Sequence, residues 1–264
     1  MTFFSLHGFL GTTIDWEPIL PTQTHLKHLH CSLYDPHFAT PEKGLVLWGD
    51  SFNAFAQEIA PPPRYLIGYS LGGRLGLHAL IQSPYIWEAA LFVSTHPGLP
   101  QEERVARAKQ DLDWAKAFET LPFPELLISW NQQPLFGGTP FPSPRFLQEQ
   151  DRPLLSSSLR HWSLSQQNNF QEDLARLSLP ILWIVGSHDT RCLQASSQLS
   201  FRHPLSTITV IQNVGHRAPW ENKKLFEKIV LKFITNNVST HTRGKYVDPS
   251  PVTPISENDL YHEP

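Results

Sequence analysis

The stretch Gly68-Tyr69-Ser70-Leu71-Gly72-Gly73-Arg74 decides the fold of this 264-residue chain. A short, mostly apolar run at residues 64–67 precedes it and predicts a strand, and residues 75–82 predict a helix. A G-x-S-x-G pattern between a strand and a helix is typical of a nucleophile elbow, whose tight turn leaves no room for side chains beside the serine. We therefore predict that Ser70 carries the chemistry; a small-residue turn with an idle serine is the alternative.

The bulk composition excludes several classes of function. The net charge is −3 and 17% of residues are charged, so there is no basic field for nucleic acid or an anionic membrane. Cys31 and Cys192 are too few for a disulfide framework and lack metal-ligand spacing. No signal peptide or membrane span is recognisable. We expect a cytoplasmic protein, monomeric or weakly homo-oligomeric, with no membrane insertion.

The distribution of apolar runs predicts an α/β fold. Most of these runs lack period-two alternation, as strands covered on both faces should. Strands that alternate with helical segments favour a mostly parallel sheet flanked by helices. The predicted strands lie at residues 3–6, 29–33, 65–67, 89–93, 181–185 and 207–211.

A long interval without a convincing strand separates residues 93 and 181. Its helical segments predict a cap over the carboxyl edge of the sheet, where open α/β folds bind ligands; a separate helical domain is the alternative. The polar composition of the last residues predicts a disordered tail. The expected organisation is a core at residues 1–97 and 173–237, a cap at 98–172 and a tail at 238–264. Within the cap we predict helices at 101–119, 123–130 and 143–150, and the last helix of the core is predicted at 222–235.

Two residues that follow later strands are candidate partners for Ser70. A serine hydroxyl becomes reactive when a histidine takes its proton and a carboxylate orients that histidine. In elbow-type folds the acid comes before the histidine, each just after a strand. Asp189 and His216 satisfy this order, and Gly215 allows a close approach of the loop. Asp173 is a weaker candidate for the acid.

An oxyanion hole is also predicted from the sequence. The stretch His7-Gly8-Phe9-Leu10-Gly11 follows the first predicted strand and matches the loop that supplies one backbone N–H, here that of Phe9. The N–H of Leu71, directly after the serine, supplies the second. We expect the His7 side chain to brace the loop rather than to touch substrate.

Arg74 points to an acidic substrate. It lies four residues after Ser70 and therefore one helical turn along on nearly the same face. A cation so close to the serine suits a carboxylate-bearing ligand better than an apolar acyl group. A structural arginine that bonds nearby loop carbonyls is the alternative.

Three motifs together resemble one enzyme family. The elbow, His96-Pro97-Gly98-Leu99 and Trp130-Asn131-Gln132-Gln133-Pro134-Leu135-Phe136 are similar to the menaquinone-pathway synthases that make 2-succinyl-6-hydroxy-2,4-cyclohexadiene-1-carboxylate. The resemblance extends from His7 to about Glu221. It implies an α/β-hydrolase fold with a helical cap, no metal, no cofactor, and a small polycarboxylate substrate. The implied reaction is a lyase reaction that eliminates pyruvate, with the serine acting as a base.

The resemblance also implies roles for particular residues. It assigns the catalytic triad to Ser70, Asp189 and His216. It assigns substrate binding to Tyr69, Arg74, Arg107, Trp130 and Arg152, of which the three arginines would form a clamp for carboxylates. A solvated helix residue is the alternative for Arg107. The stretch at residues 33–40 departs from the family pattern, because the glycines of its turn are missing.

Two other functions remain open from the sequence alone. Ser70 could act as a true nucleophile in a hydrolase of small esters or carbon–carbon bonds. The chain could instead be a non-catalytic relative that binds a partner through its cap or tail. The complete set of Ser70, Asp189 and His216 argues against that last hypothesis, since a binding module needs none of them.

Overall fold

A parallel sheet of six strands organises the protein in its computed structural model, which describes residues 1–20, 26–137, 139 and 151–241. The strands are β1 (Thr2–Leu6), β2 (Lys27–Cys31), β3 (Arg64–Tyr69), β4 (Ala89–Val93), β5 (Ile181–Gly186) and β6 (Thr207–Ile211). Their order is β2-β1-β3-β4-β5-β6, and every neighbouring pair is parallel. The six predicted strands and the α/β fold class are thus confirmed.

Helices cover both faces of this sheet. The helices of the described residues are α1 (Gly44–Ile59), α2 (Leu71–Gln82), α3 (Gln101–Thr120), α4 (Phe123–Asn131), α5 (Arg152–His161), α6 (Gln171–Arg176), α7 (Thr190–Ser196), α8 (Ala218–Glu221) and α9 (Lys223–His241). Successive side chains of β1 point to opposite faces: Phe4 packs in a cluster with Trp48 and Phe52 of α1, whereas Phe3 packs in a cluster with Phe226 of α9. Central strands therefore show unbroken burial.

The position of β2 differs from the prediction by two residues. The apolar pattern predicts a strand at 29–33, whereas the structure has Lys27–Cys31. Leu33 is only 1% exposed, but its backbone N–H donates to Nε2 of His7 at 3.2 Å rather than to a neighbouring strand. The apolar run is longer than the strand because Leu33 buries its side chain from a loop.

The connection from β4 to β5 carries a small helical layer with its own apolar cluster. Helices α3, α4 and α5 contribute Phe118, Leu126 and Leu155 to this cluster, and Phe9 from the loop after β1 packs against it. Helices are present where the pattern predicts them at 101–119 and 123–130. The helix predicted at 143–150 lies outside the described residues, and α5 is an addition to the prediction.

The last helix extends further than its sequence pattern predicts. Helix α9 continues through His241, so the first four residues of the predicted tail are helical. The remainder of that tail lies outside the described residues. Within the described ranges, no helix combines the length and apolar character needed to cross a membrane.

Candidate active site

The turn between β3 and α2 holds Ser70 in an unusual backbone conformation. Its φ is +51° and its ψ is −114°, a region that side-chain-bearing residues rarely adopt. Tight packing enforces the turn: a Cβ at Gly72 would lie 2.3 Å from the carbonyl oxygen of His7, and one at Gly68 would lie 2.5 Å from Cα of Gly73. This is the close approach that a nucleophile elbow requires.

A hydrogen-bonded chain links the three predicted triad residues. Nε2 of His216 lies 2.9 Å from Oγ of Ser70, and its Nδ1 lies 2.5 Å from Oδ2 of Asp189. His216 follows β6, while Asp189 follows β5 and caps α7 by accepting the backbone N–H of Cys192. The side chains of His216 and Asp189 are 5% and 0% exposed. Asp173, the weaker candidate, lies in α6 and outside the cavity lining.

The surroundings of Asp189 favour its ionised form. Burial alone would raise the pKa of this carboxyl, but the charge interaction and hydrogen bond with His216 and the N–H of Cys192 outweigh it, so the pKa lies below its ordinary value. An ionised Asp189 accepts a hydrogen bond from the N–H at Nδ1 of His216. Nε2 of His216 is then free to accept the proton of Ser70.

The two residues predicted to supply the oxyanion-hole N–H groups, Phe9 and Leu71, line the cavity beside Ser70. Leu71 is the first residue of α2, so its N–H has no partner within the helix. Phe9 lies in the loop after β1, and both residues line the same cavity as Ser70. The His7 side chain braces that loop, as expected, with Nδ1 2.8 Å from the carbonyl of Gly8 and Nε2 accepting from Leu33.

A cavity of about 400 Å³ lies between the sheet and the helical layer. That size suits a small organic ligand. Both sides of the molecule contribute to its lining, which includes Phe9, Tyr69, Ser70, Leu71, Arg74, Arg107, Asp111, Trp114, Trp130, Trp162, Asp189, Arg191, His216 and Arg217. Tyr69 and Trp130, which are predicted to bind substrate, are both among these lining residues. The Trp130 ring packs 4.7 Å from Phe9 and 4.9 Å from Trp114.

Arg74 has both a structural role and a place in the cavity. Its guanidinium donates to the carbonyl of Trp162 at 2.7 Å and to Oε1 of Gln167 at 3.4 Å. Burial, reinforced by the charge of Arg107, lowers the pKa of Arg74 to about 9. The structural alternative, an arginine that bonds nearby loop carbonyls, therefore describes part of what Arg74 does, and Arg74 is also among the residues that line the cavity.

Of the other two predicted clamp residues, one lies in the cavity and one does not. Arg107 lines the cavity, and its Nε donates to both carboxylate oxygens of Asp111 at 2.8 Å. Arg152 lies elsewhere: it donates to the carbonyls of Phe118 and Leu121 at the end of α3. Carbonyls at a helix end lack partners within the helix, and Arg152 satisfies them. Of the three arginines of the predicted clamp, the structure therefore brings Arg74 and Arg107 together in the cavity lining but not Arg152.

Two arginines of the cavity were not singled out by sequence. Arg191 lies two residues after Asp189, and Arg217 directly follows His216. Arg217 donates to Oδ1 of Asn131 at 2.6 Å and to the carbonyl of Thr139, and it lies 4.2 Å from the Phe136 ring centroid. Closeness in sequence to the predicted triad residues was the signal that could have identified both arginines.

One group of three described side chains has the spacing of metal ligands. The ligand atoms of Asp189, Cys192 and His216 lie within 4.8 Å of one another. However, Nδ1 of His216 is bonded to Asp189, and burial followed by the charge of Asp189 raises the pKa of Cys192 well above its ordinary value. A protonated thiol is a poor metal ligand. This donor set fits a hydrogen-bonded triad better than a metal centre.

Comparisons with known proteins agree with this architecture. Residues 5–227 match the sequence profile of the alpha/beta hydrolase family. A Haemophilus influenzae protein, provisionally named 2-succinyl-6-hydroxy-2,4-cyclohexadiene-1-carboxylate synthase, is 30% identical over 237 residues, which cover 84% of this chain and 93% of that protein. An Enterobacter sp. (strain 638) protein with the same name, given without qualification, is 28% identical over 82% of this chain and 85% of its own.

A solved structure shows the same fold. MenH from S. aureus is 20% identical to this chain and superposes with a TM-score of 0.73, covering 90% of this chain and 94% of its own. Similarity at that level of identity supports the fold, while the curated relative at 30% identity supports the closer kinship. The chain therefore belongs to the alpha/beta hydrolase family and, within it, to the family of 2-succinyl-6-hydroxy-2,4-cyclohexadiene-1-carboxylate synthases.

Proposed function

We propose that this protein eliminates pyruvate from 2-succinyl-5-enolpyruvyl-6-hydroxy-3-cyclohexene-1-carboxylate to give 2-succinyl-6-hydroxy-2,4-cyclohexadiene-1-carboxylate in menaquinone biosynthesis. The observation that carries the proposal is the shared cavity: Ser70 bonded to His216, with Arg74 and Arg107 in the same lining. A polycarboxylate needs several fixed cations, and a proton abstraction needs an activated base. The names of the curated relatives support the same reaction.

In the proposed mechanism Ser70 acts as the base. Nε2 of His216 takes the hydroxyl proton while Oγ removes the ring proton beside the succinyl ketone. The electrons of the broken C–H bond form a new ring double bond, the existing double bond shifts, and the C–O bond to the enolpyruvyl group breaks. The departing enolate of pyruvate accepts a proton, which the imidazolium of His216 can supply.

The remaining residues of the site stabilise charge during this step. As the ring proton leaves, negative charge develops on the succinyl carbonyl oxygen. The N–H groups of Phe9 and Leu71 would donate to that oxygen. Asp189 stabilises the imidazolium of His216 through the 2.5 Å contact. Arg74 and Arg107 bind carboxylates of the substrate, which take no part in the bond changes.

The direct test is to incubate the purified protein with the cyclohexene substrate and to follow pyruvate with lactate dehydrogenase and NADH. We expect pyruvate release that depends on enzyme concentration and is absent with Ser70→Ala. A correctly folded wild-type protein that releases no pyruvate would exclude the proposed lyase.

Hydrolysis of small acidic esters or carbon–carbon bonds is the second candidate. It is favoured by one observation: the bonding of Ser70, His216 and Asp189 is also that of acyl-transfer enzymes. An activated ester distinguishes the two. A burst of the alcohol product with a mass increase on Ser70, without pyruvate release from the cyclohexene, would favour the hydrolase.

A further inference from the structure

The charged residues of the cavity differ in how they are already engaged. Four arginines and three aspartates occur in its described lining. Arg74 bonds to Trp162 and Gln167, and Arg107 is paired with Asp111. Arg217 donates a hydrogen bond to Oδ1 of Asn131. Each of these cations has part of its hydrogen-bonding capacity used within the protein.

Arg191 is the exception within the described part of the chain. Its guanidinium has no hydrogen bond or ion pair with any residue in the ranges 1–20, 26–137, 139 and 151–241. It lies in the first turn of α7, two residues after Asp189, and its side chain lines the cavity while remaining partly exposed to solvent. All five N–H donors of this arginine are therefore available to a ligand.

The arginines also influence one another electrostatically. Burial first and Arg107 second lower the pKa of Arg74, and the same two causes in the same order lower the pKa of Arg191. Like charges that share a cavity repel, and a polyanionic ligand would relieve that repulsion. Asp111 offsets part of the charge of Arg107, but no described carboxylate is paired with Arg191.

We propose that Arg191 binds one carboxylate of the substrate in the cavity and so selects polycarboxylates over substrates with fewer charges. This inference rests on the proposed function, because it names a further residue that recognises the same substrate. Arg191 thereby supplies a cation that the motif resemblance assigned to Arg152, whose guanidinium is bonded to the end of α3.

Steady-state kinetics with Arg191→Gln, Arg191→Lys and the control Arg202→Gln test this inference. Arg202 is an exposed arginine outside the cavity lining. We expect Arg191→Gln to raise KM for the cyclohexene substrate about tenfold, with kcat within about twofold, as loss of one charge-assisted contact predicts. Arg191→Lys should restore part of the affinity, and Arg202→Gln should match wild type.

The salt dependence of KM gives a second test of the charge on Arg191. Added salt should raise KM more steeply for wild type than for Arg191→Gln. An unchanged KM in Arg191→Gln, or an equal loss in kcat, would overturn the inference while leaving the lyase intact.

If wild type releases no pyruvate, citrate and triethyl citrate serve as charged and neutral probes, with binding followed by tryptophan fluorescence. Citrate binding that is about tenfold weaker in Arg191→Gln, with triethyl citrate unaffected, would support the inference although the proposed function had failed. Citrate binding that is absent, or equal in wild type and variant, would overturn it.

Discussion

Ser70 and His216 are joined by a single hydrogen bond of 2.9 Å, so the chemistry that we propose depends on both at once. Replacing either by alanine should lower kcat on the order of 10³-fold or more, and the double variant should lose little beyond that, because the two act as a unit. Pyruvate release under saturating substrate measures the effect. His37→Gln, which changes an exposed histidine, is the control. Losses that multiply in the double variant would contradict the shared role.

Arg107 and Arg152 form a second residue-scale comparison, because the resemblance gives both the same role and the structure separates them. Arg107→Gln should raise KM about tenfold, since it removes a cation from the cavity. Arg152→Gln should leave KM within about twofold but lower the free energy of unfolding by about 1–2 kcal/mol, since it loses bonds to two carbonyls. Steady-state kinetics and urea unfolding measure these effects. A raised KM in Arg152→Gln would contradict its placement.

The difference between these residues shows what sequence can predict at this scale. Ser70, Asp189 and His216 each lie in the connection that follows the carboxyl end of a strand, so chain order and the parallel sheet bring them to one edge. The position of Arg152 depends instead on how α5 packs against α3. Tertiary packing of that kind leaves no local sequence pattern, and the position of Arg191 in the cavity lining likewise has no local pattern that predicts it.

The junction of β3 with α2 is the element on which the site depends, and its glycines allow a matched test. A Cβ at Gly72 would lie 2.3 Å from the His7 carbonyl oxygen, a backbone atom that cannot move aside cheaply. At Gly76, on the same helix, the nearest atoms are flexible ends of Leu6 and Leu66 at 3.4 Å.

Gly72→Ala should therefore destabilise the protein by about 3 kcal/mol, or prevent folding, through overpacking. Gly76→Ala should be neutral or stabilising by up to about 1 kcal/mol, because alanine is the better residue inside a helix. Urea unfolding followed by circular dichroism measures both. Equal effects at the two positions would show that the close approach beneath the elbow is not what requires glycine.

The sequence predicts a strand or helix well where the residues of that element themselves favour it. The central strands have unbroken apolar runs and match the prediction closely. Helix α5 contains three consecutive serines, which are weak helix formers, and its stability comes from Leu155 and Leu159 packed in the cluster with α3. Its sequence therefore favours no helix until its tertiary partners are known.

At the scale of the whole molecule, residues of the sheet and of the helical layer are coupled at the cavity. Arg217 follows the predicted base-activating His216 and bonds to Asn131 of α4, while Phe136 packs 5.8 Å from the His216 ring. A shift of the helical layer would therefore move groups that contact the histidine. The position of the helical layer and the geometry of the predicted triad are linked through these contacts.

Buried histidines make the stability of the whole molecule depend on pH. His78 in α2 is 3% exposed, and its ring packs edge-on 4.8 Å from Phe170. Burial first and the charge of Arg74 second lower the pKa of His78 to about 4. Between its ordinary pKa of about 6.5 and pH 4, the unfolded chain binds a proton that the folded protein does not bind. The free energy of unfolding must therefore fall as the pH falls through this range.

For His78 this linkage predicts a loss of about 2 kcal/mol between pH 7 and pH 5. The variant His78→Leu cannot take up that proton, so its free energy of unfolding should decrease by about 2 kcal/mol less than that of wild type over the same interval. Burial also lowers the pKa of His96, to about 3, so part of the wild-type decrease should remain in the variant. Urea unfolding at pH 7, 6 and 5, with exposed His37→Gln as control, measures the difference. Equal pH dependence in wild type and His78→Leu would mean that His78 is protonated as readily in the folded protein as in the unfolded chain.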